Sequence, residues 1–132
     1  NALVLLSNGG QAKVGARFAP WEFFADWKVI DAEGKRGVIA LETALRGTCT
    51  PHVLLDLIEN FVAYLERPGG LIKTVARSHQ YHGVNAAIDN LYSVRATGDK
   101  RLGVFWHTQK GYPWRGDLRA FLRQLLAVYG GR

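Results

Sequence analysis

Leu102-Gly103-Val104-Phe105-Trp106-His107-Thr108-Gln109 sets the fold expectation for the whole chain. Four apolar or aromatic residues follow a turn signal at Gly98-Asp99-Lys100-Arg101, which reads as a short buried strand. A strand that ends in polar His-Thr-Gln is where a nucleotide-binding α/β domain places its phosphate loop. The next residues should then be Gly-x-Gly-Lys-Ser/Thr, whose backbone N–H groups cradle phosphate oxygens at a helix N-terminus. The chain instead continues Lys110-Gly111-Tyr112-Pro113-Trp114. The approach to a phosphate loop is present and the loop is not.

Upstream of this strand, Val84, Ile88 and Leu91 give the stripe of an amphipathic helix that stops near Gly98. It is preceded by Val75-Ala76-Arg77-Ser78-His79-Gln80-Tyr81-His82. Two His three apart can share a helix face, but a zinc site needs three or four protein ligands, and neither Cys49 nor His52 is spaced to join them. Thr50-Pro51 opens the clearest helix, with Thr suited to the N-cap and Pro to the first helical position. Its expected face is Leu54, Ile58, Phe61 and Leu65, with Leu55 and Val62 beside it, and Glu66-Arg67-Pro68-Gly69-Gly70 ends it.

A shorter helix is expected over Val38–Leu45, closed by Gly47 after the loop Gly34-Lys35-Arg36-Gly37. Pro20 occupies a helix-start position, and Phe23, Phe24 and Trp27 then share a face that reads as core rather than as a base-stacking surface. At the N-terminus, the apolar run Ala2–Leu6 and the loosely alternating Ala12–Phe18 flank Ser7-Asn8-Gly9-Gly10, a strong hairpin signal because Asn and Gly tolerate positive φ.

Composition sets wide bounds. At 132 residues, with 48% hydrophobic and 21% charged residues, the chain is one domain's length of ordinary globular sequence. No apolar run reaches the ~20 residues that span a bilayer. The start, Asn1-Ala2-Leu3-Val4-Leu5-Leu6, lacks an initiator Met and a basic flank, so it does not read as a signal peptide and looks cut from something longer. Cys49 is alone, which excludes an internal disulfide and fits a reducing cytoplasm. The net charge of +6 is compatible with nucleic acid, although the charge is spread along the chain rather than gathered in one block.

Phe105-Trp106-His107-Thr108-Gln109 resembles the segment that enters the ATP-binding motif of the R (restriction, motor) subunit of type I restriction enzymes. Working backwards, His79-Gln80-Tyr81, Leu65-Glu66-Arg67-Pro68-Gly69-Gly70, Leu41-Glu42-Thr43-Ala44-Leu45-Arg46-Gly47 and Ala19-Pro20-Trp21-Glu22-Phe23-Phe24 follow the same family in the same order. The resemblance implies an α/β chain: an N-terminal β-hairpin, a helical connector, the helix–strand start of a P-loop motor domain, and an unrelated C-terminal helix. It places the end of a nuclease-like domain in residues 1–35, the connector in 36–70, the motor start in 71–109 and a divergent tail in 110–132.

In superfamily 2 motors an Arg-x-x-Gln element precedes the phosphate loop. By that resemblance Gln80 hydrogen-bonds the adenine edge and Arg77 packs on the base. A carboxamide offers both donor and acceptor, and a guanidinium stacks on flat rings. On its own Gln80 reads as a solvated helix residue. His107, Thr108 and Gln109 would open the phosphate-loop turn. The intact family protein uses ATP and Mg²⁺ to move DNA and then cut it, with methylase and specificity subunits as partners and no membrane involved.

The family's nuclease motif has no matching positions here: Asp26, Asp31, Glu33 and Lys35 lack the spacing of a metal-holding Asp…Glu-x-Lys set and read as solvated charges. After Gln109 the match stops at once, although Asp117–Tyr129 still has a helical stripe of Leu118, Phe121, Leu122 and Leu125. Such a break suggests a shifted frame or a rearranged gene. The chain alone is therefore expected to catalyse nothing; a small basic module that binds DNA or a protein partner is the other reading.

Overall fold

Two short hydrogen-bonding segments joined by a loop rich in Asn and Gly begin the computed structural model, which describes residues 3–98. Strand β1 (Val4–Ser7) pairs antiparallel with β2 (Ala12–Gly15), with Ser7 opposite Ala12 and Val4 opposite Gly15. The loop is built by side chains as much as by backbone. Asn8 Oδ1 accepts the N–H groups of Gly10 (3.2 Å) and Gln11 (2.8 Å), and Ser7 Oγ accepts from Gly9 at 3.0 Å while donating to the Gln11 carbonyl at 2.8 Å. Gly9 takes φ +92°, as the sequence signal anticipated. Ala12 and Val14 point into the core; Lys13 points outward and pairs with Asp26 at 3.0 Å.

The expected helix after Pro20 is not formed. Trp21–Phe23 makes one 3₁₀ turn and the chain then enters β3 (Ala25–Asp26), which pairs with Lys13 and Val14 of β2. Residue identity explains the difference. Gly15 leaves room for the Phe24 ring where a Cβ would lie 2.6 Å from it, so the backbone of the third strand can come close enough to pair. Trp27 is 4% exposed and is core, as expected, whereas Phe23 and Phe24 are only half-buried.

Helix α1 (Ala40–Thr48) starts later than anticipated and runs through Gly47. Gly47 is a packing residue rather than a terminator: a Cβ there would strike the Trp27 indole and lie 3.0 Å from the Val29 carbonyl. Ile39 cannot cap the helix, so its first turn reaches backwards. Glu42 Oε2 accepts from Val38 N–H at 2.7 Å and Thr43 Oγ1 from Gly37 N–H at 2.9 Å. The Val38 N–H, and then the Arg46 guanidinium 3.0 Å away, hold the Glu42 carboxyl below its ordinary value.

Helix α2 (Pro51–Asn60) has Pro at its start, but it ends earlier than the apolar pattern suggested. The Thr50 hydroxyl bonds the Arg46 carbonyl and makes no cap. The buried face is Val53, Leu57 and Phe61; Leu55 and Ile58 are exposed. From Val62 the chain becomes β4 (Val62–Arg67), which turns at Pro68-Gly69 and returns as β5 (Gly70–Val75), with Arg67 opposite Gly70. Val62, Tyr64 and Leu65 suit a strand, and a two-residue Pro-Gly turn with Gly69 at φ +106° closes a hairpin that a helix cannot make.

Helix α3 (Ser78–Thr97) follows and stops before Gly98, which takes φ +73°. The described residues thus form a mixed α/β arrangement of two small antiparallel sheets and three helices. Residues Asn1–His82 form one compact unit, in which α1 packs on β2 and α2, and β2 on β5; Gly83 opens a second unit that contains the remainder of α3. The strand expected at Leu102–Trp106 and the tail helix lie outside the described residues. Among those residues no helix is long and apolar enough to cross a membrane.

Candidate functional site

The start of α3 gathers the described residues that the sequence pattern singled out. Arg77 stands at the N-cap, and its carbonyl accepts the N–H groups of Gln80 and Tyr81, both at 2.9 Å. Gln80 reaches back in turn: its Oε1 accepts the Arg77 N–H at 2.7 Å. This is the return half of a capping box, with Gln at the third helical position satisfying the N-cap amide. The Arg77 guanidinium turns away from the helix, and its Nη2 donates to the Glu22 carbonyl in the 3₁₀ turn at 3.4 Å. Both Arg77 and Gln80 remain half-buried. At this helix end the Gln80 carboxamide is thus tied to the Arg77 backbone, while the Arg77 guanidinium reaches out to the 3₁₀ turn.

An aromatic floor supports this corner. Tyr81 is buried, with its ring centre 4.8 Å from Phe61 and 5.8 Å from Trp27. His82 lies edge-on to Tyr81 at 5.3 Å and 6.2 Å from Trp27. Its Nε2 is buried without a hydrogen-bond partner. Burial lowers the His82 pKa below the ordinary histidine value, against the raising effects of the Val29 carbonyl, Asp31 and Glu33. Trp27 Nε1 and Ser78 Oγ are likewise buried without a hydrogen-bond partner. The imidazole is thus a half-buried group packed against the Tyr81 and Trp27 rings. No group of three or more His, Cys, Asp or Glu positioned to hold a metal occurs among the described residues.

The sequence pattern brought out Arg77 and Gln80, and the structure joins them directly. It did not bring out Glu22, whose contribution is a backbone carbonyl, nor the Phe61–Tyr81–Trp27 cluster, whose members lie far apart in sequence. A Gln three residues after a non-helical position was the available sign of the capping contact. His107, Thr108 and Gln109 lie outside the described residues.

The chain is 37% identical over 115 residues to the type I restriction enzyme HindI endonuclease subunit of Haemophilus influenzae, an alignment that covers 83% of this chain. The chain belongs to the type I restriction endonuclease (R) subunit family. A second relative, a Methanocaldococcus jannaschii protein named as the MjaIXP type I restriction enzyme endonuclease subunit, is 22% identical over 129 residues and 81% of this chain. The chain spans only 11% and 12% of the lengths of these two R subunits. No protein-family pattern matches it, and no solved structure does.

Proposed function

We propose that this chain corresponds to the stretch of an R subunit that links the end of its nuclease-like domain (residues 1–35), through a connector (36–70), to the start of its ATP-dependent motor (71–109). In the intact protein this stretch would serve DNA translocation and cleavage in the cytoplasm, alongside methylase and specificity subunits. The observation that carries the reading is the 37% identity, combined with the pairing of Arg77 and Gln80 at the head of α3. There Gln80 would present its carboxamide to an adenine edge and Arg77 its guanidinium to the ring face, with His107, Thr108 and Gln109 leading toward the phosphates. ATP phosphates and Mg²⁺ need a Lys and a Ser/Thr just beyond, where this chain has Lys110-Gly111-Tyr112-Pro113-Trp114. The chain alone therefore binds nucleotide weakly at most and turns none over.

The tail from 110 to 132 would then be foreign to the family. A single gained or lost base near the codons for Gln109 and Lys110 accounts for this. Translating the other two frames beyond Gln109 should show Gly-Lys or a relic of it followed by an apolar helix; neither frame doing so would refute the frameshift. For the activity, purified chain with Mg²⁺, ATP and plasmid DNA should neither hydrolyse nor nick. Turnover that co-purifies with the chain and disappears on Gln80→Ala would overturn the proposal.

A further inference from the structure

Phe18 sits where neither its backbone nor its ring gains from this chain. It is the second central residue of a turn closed by the Ala19 N–H on the Ala16 carbonyl at 3.1 Å. Its φ is +66°, the left-handed region that a side chain disfavours and that glycine fills freely. Among the described residues, Phe18 is the one non-glycine with positive φ. Its ring is 86% exposed, and the Arg17 guanidinium lies over it with Cζ 4.4 Å from the ring centre. Three residues on, Trp21 is 65% exposed and propped from behind by Phe24, stacked at 5.7 Å.

A glycine at position 18 would relieve the backbone and take an apolar ring out of water. The chain instead carries both costs, and strain of this kind persists where it serves a site. Exposed aromatic rings accompanied by an arginine are the side chains that anchor protein interfaces. A polyanion is poorly matched to the same stretch, because Lys13 is committed to Asp26 at 3.0 Å and Glu22 is exposed beside Trp21. The occupant follows from the family. The chain spans 11% and 12% of the two R subunits it matches, so most of such a protein lies outside it and is available to cover this turn.

We infer that Phe18 is the anchor by which this stretch docks on the remainder of an intact R subunit. Its ring enters an apolar pocket there, and Arg17 meets a carboxylate at the rim. Trp21 flanks the contact. The inference rests on the R-subunit reading proposed above and is independent of Gln80 meeting adenine.

The test has two arms. In the full chain alone, Phe18→Gly should leave the urea midpoint within about 0.5 M of the parent or raise it, as befits a ring that packs on nothing here. A larger fall would make Phe18 part of this chain's own core and overturn the inference. The second arm grafts residues 1–109 into the HindI R subunit in place of the stretch they match, with Phe18 replaced by photoreactive p-benzoylphenylalanine. After illumination, mass spectrometry should find cross-links within one subunit, to an apolar segment outside the graft with Asp or Glu beside it. Arg17→Glu, which sets like charges against that rim, should cut the yield severalfold. Cross-links confined to the graft, cross-links to a second subunit, or none at all overturn the inference while leaving the R-subunit reading in place, as an unchanged yield with Arg17→Glu overturns the acidic rim. A graft that does not fold into the R subunit overturns that reading and the inference with it.

Discussion

Phe61→Ala should unfold much of this chain's stability margin, and the structure supplies the size of the effect. Phe61 is 5% exposed, sits where α2 gives way to β4, and tilts its ring at 60° against Tyr81, 4.8 Å away. Replacing a buried Phe by Ala costs about 3–5 kcal/mol, because the cavity closes only in part. Loss of the Tyr81 ring pair places this site in the upper half of that range. A domain of this size holds only about 5–15 kcal/mol in total. With a urea dependence of about 1.5 kcal/mol per molar, a loss of about 4–5 kcal/mol should lower the unfolding midpoint followed by circular dichroism by about 3 M. Leu55→Ala, on the same helix but 67% exposed, should move it by less than about 0.5 M. Equal midpoints for the two variants would mean that the Phe61–Tyr81 contact contributes nothing and that the core assignment is wrong.

Other substitutions test neighbouring contacts. Gly47→Ala gains helix propensity of about 1 kcal/mol but forces a Cβ into the Trp27 indole, so the net result in a urea titration should be a loss of about 1–3 kcal/mol. Thr43→Val removes the acceptor of the Gly37 N–H and should cost about 1–2 kcal/mol by the same measurement. His82 binds its proton less readily folded than unfolded, so its contribution to stability is whole above the ordinary histidine pKa of about 6.5 and declines as pH falls below it. His82→Phe should flatten that acid limb when urea midpoints are compared at about pH 7.5 and 5.5; an unchanged limb would assign it to other groups.

Much of this architecture could be read from local chemistry. The first hairpin was legible because Asn8-Gly9-Gly10 allows one kind of turn, and α3 because its apolar spacing runs to a terminating Gly98. The second hairpin was not. Leu54, Ile58, Phe61 and Leu65 satisfy a helical repeat, while Val62, Tyr64 and Leu65 equally suit a strand; pairing with β5, a tertiary fact, decides between them. Pro20 signalled a helix start, and the helix aborted after one turn because Gly15 admits Phe24 on a strand formed earlier in the chain. At the candidate site, the order of Arg77 and Gln80 was visible in the sequence. Their mutual hydrogen bond is a local capping contact that the spacing allowed, whereas the tie to Glu22 required the fold to bring a loop and a helix end together.

That tie also says something about how the protein is made. Glu22 and Arg77 are 55 positions apart, and Trp27 waits for Tyr81 and His82 in the same way. At a ribosomal rate of about 5–20 residues per second, the indole of Trp27 emerges roughly 3–11 seconds before its covering rings exist. During that interval the first sheet can pair and α1 can cover part of it, with Gly47 against the Trp27 indole. The part of the indole that Tyr81 and His82 meet stays open until the head of α3 arrives.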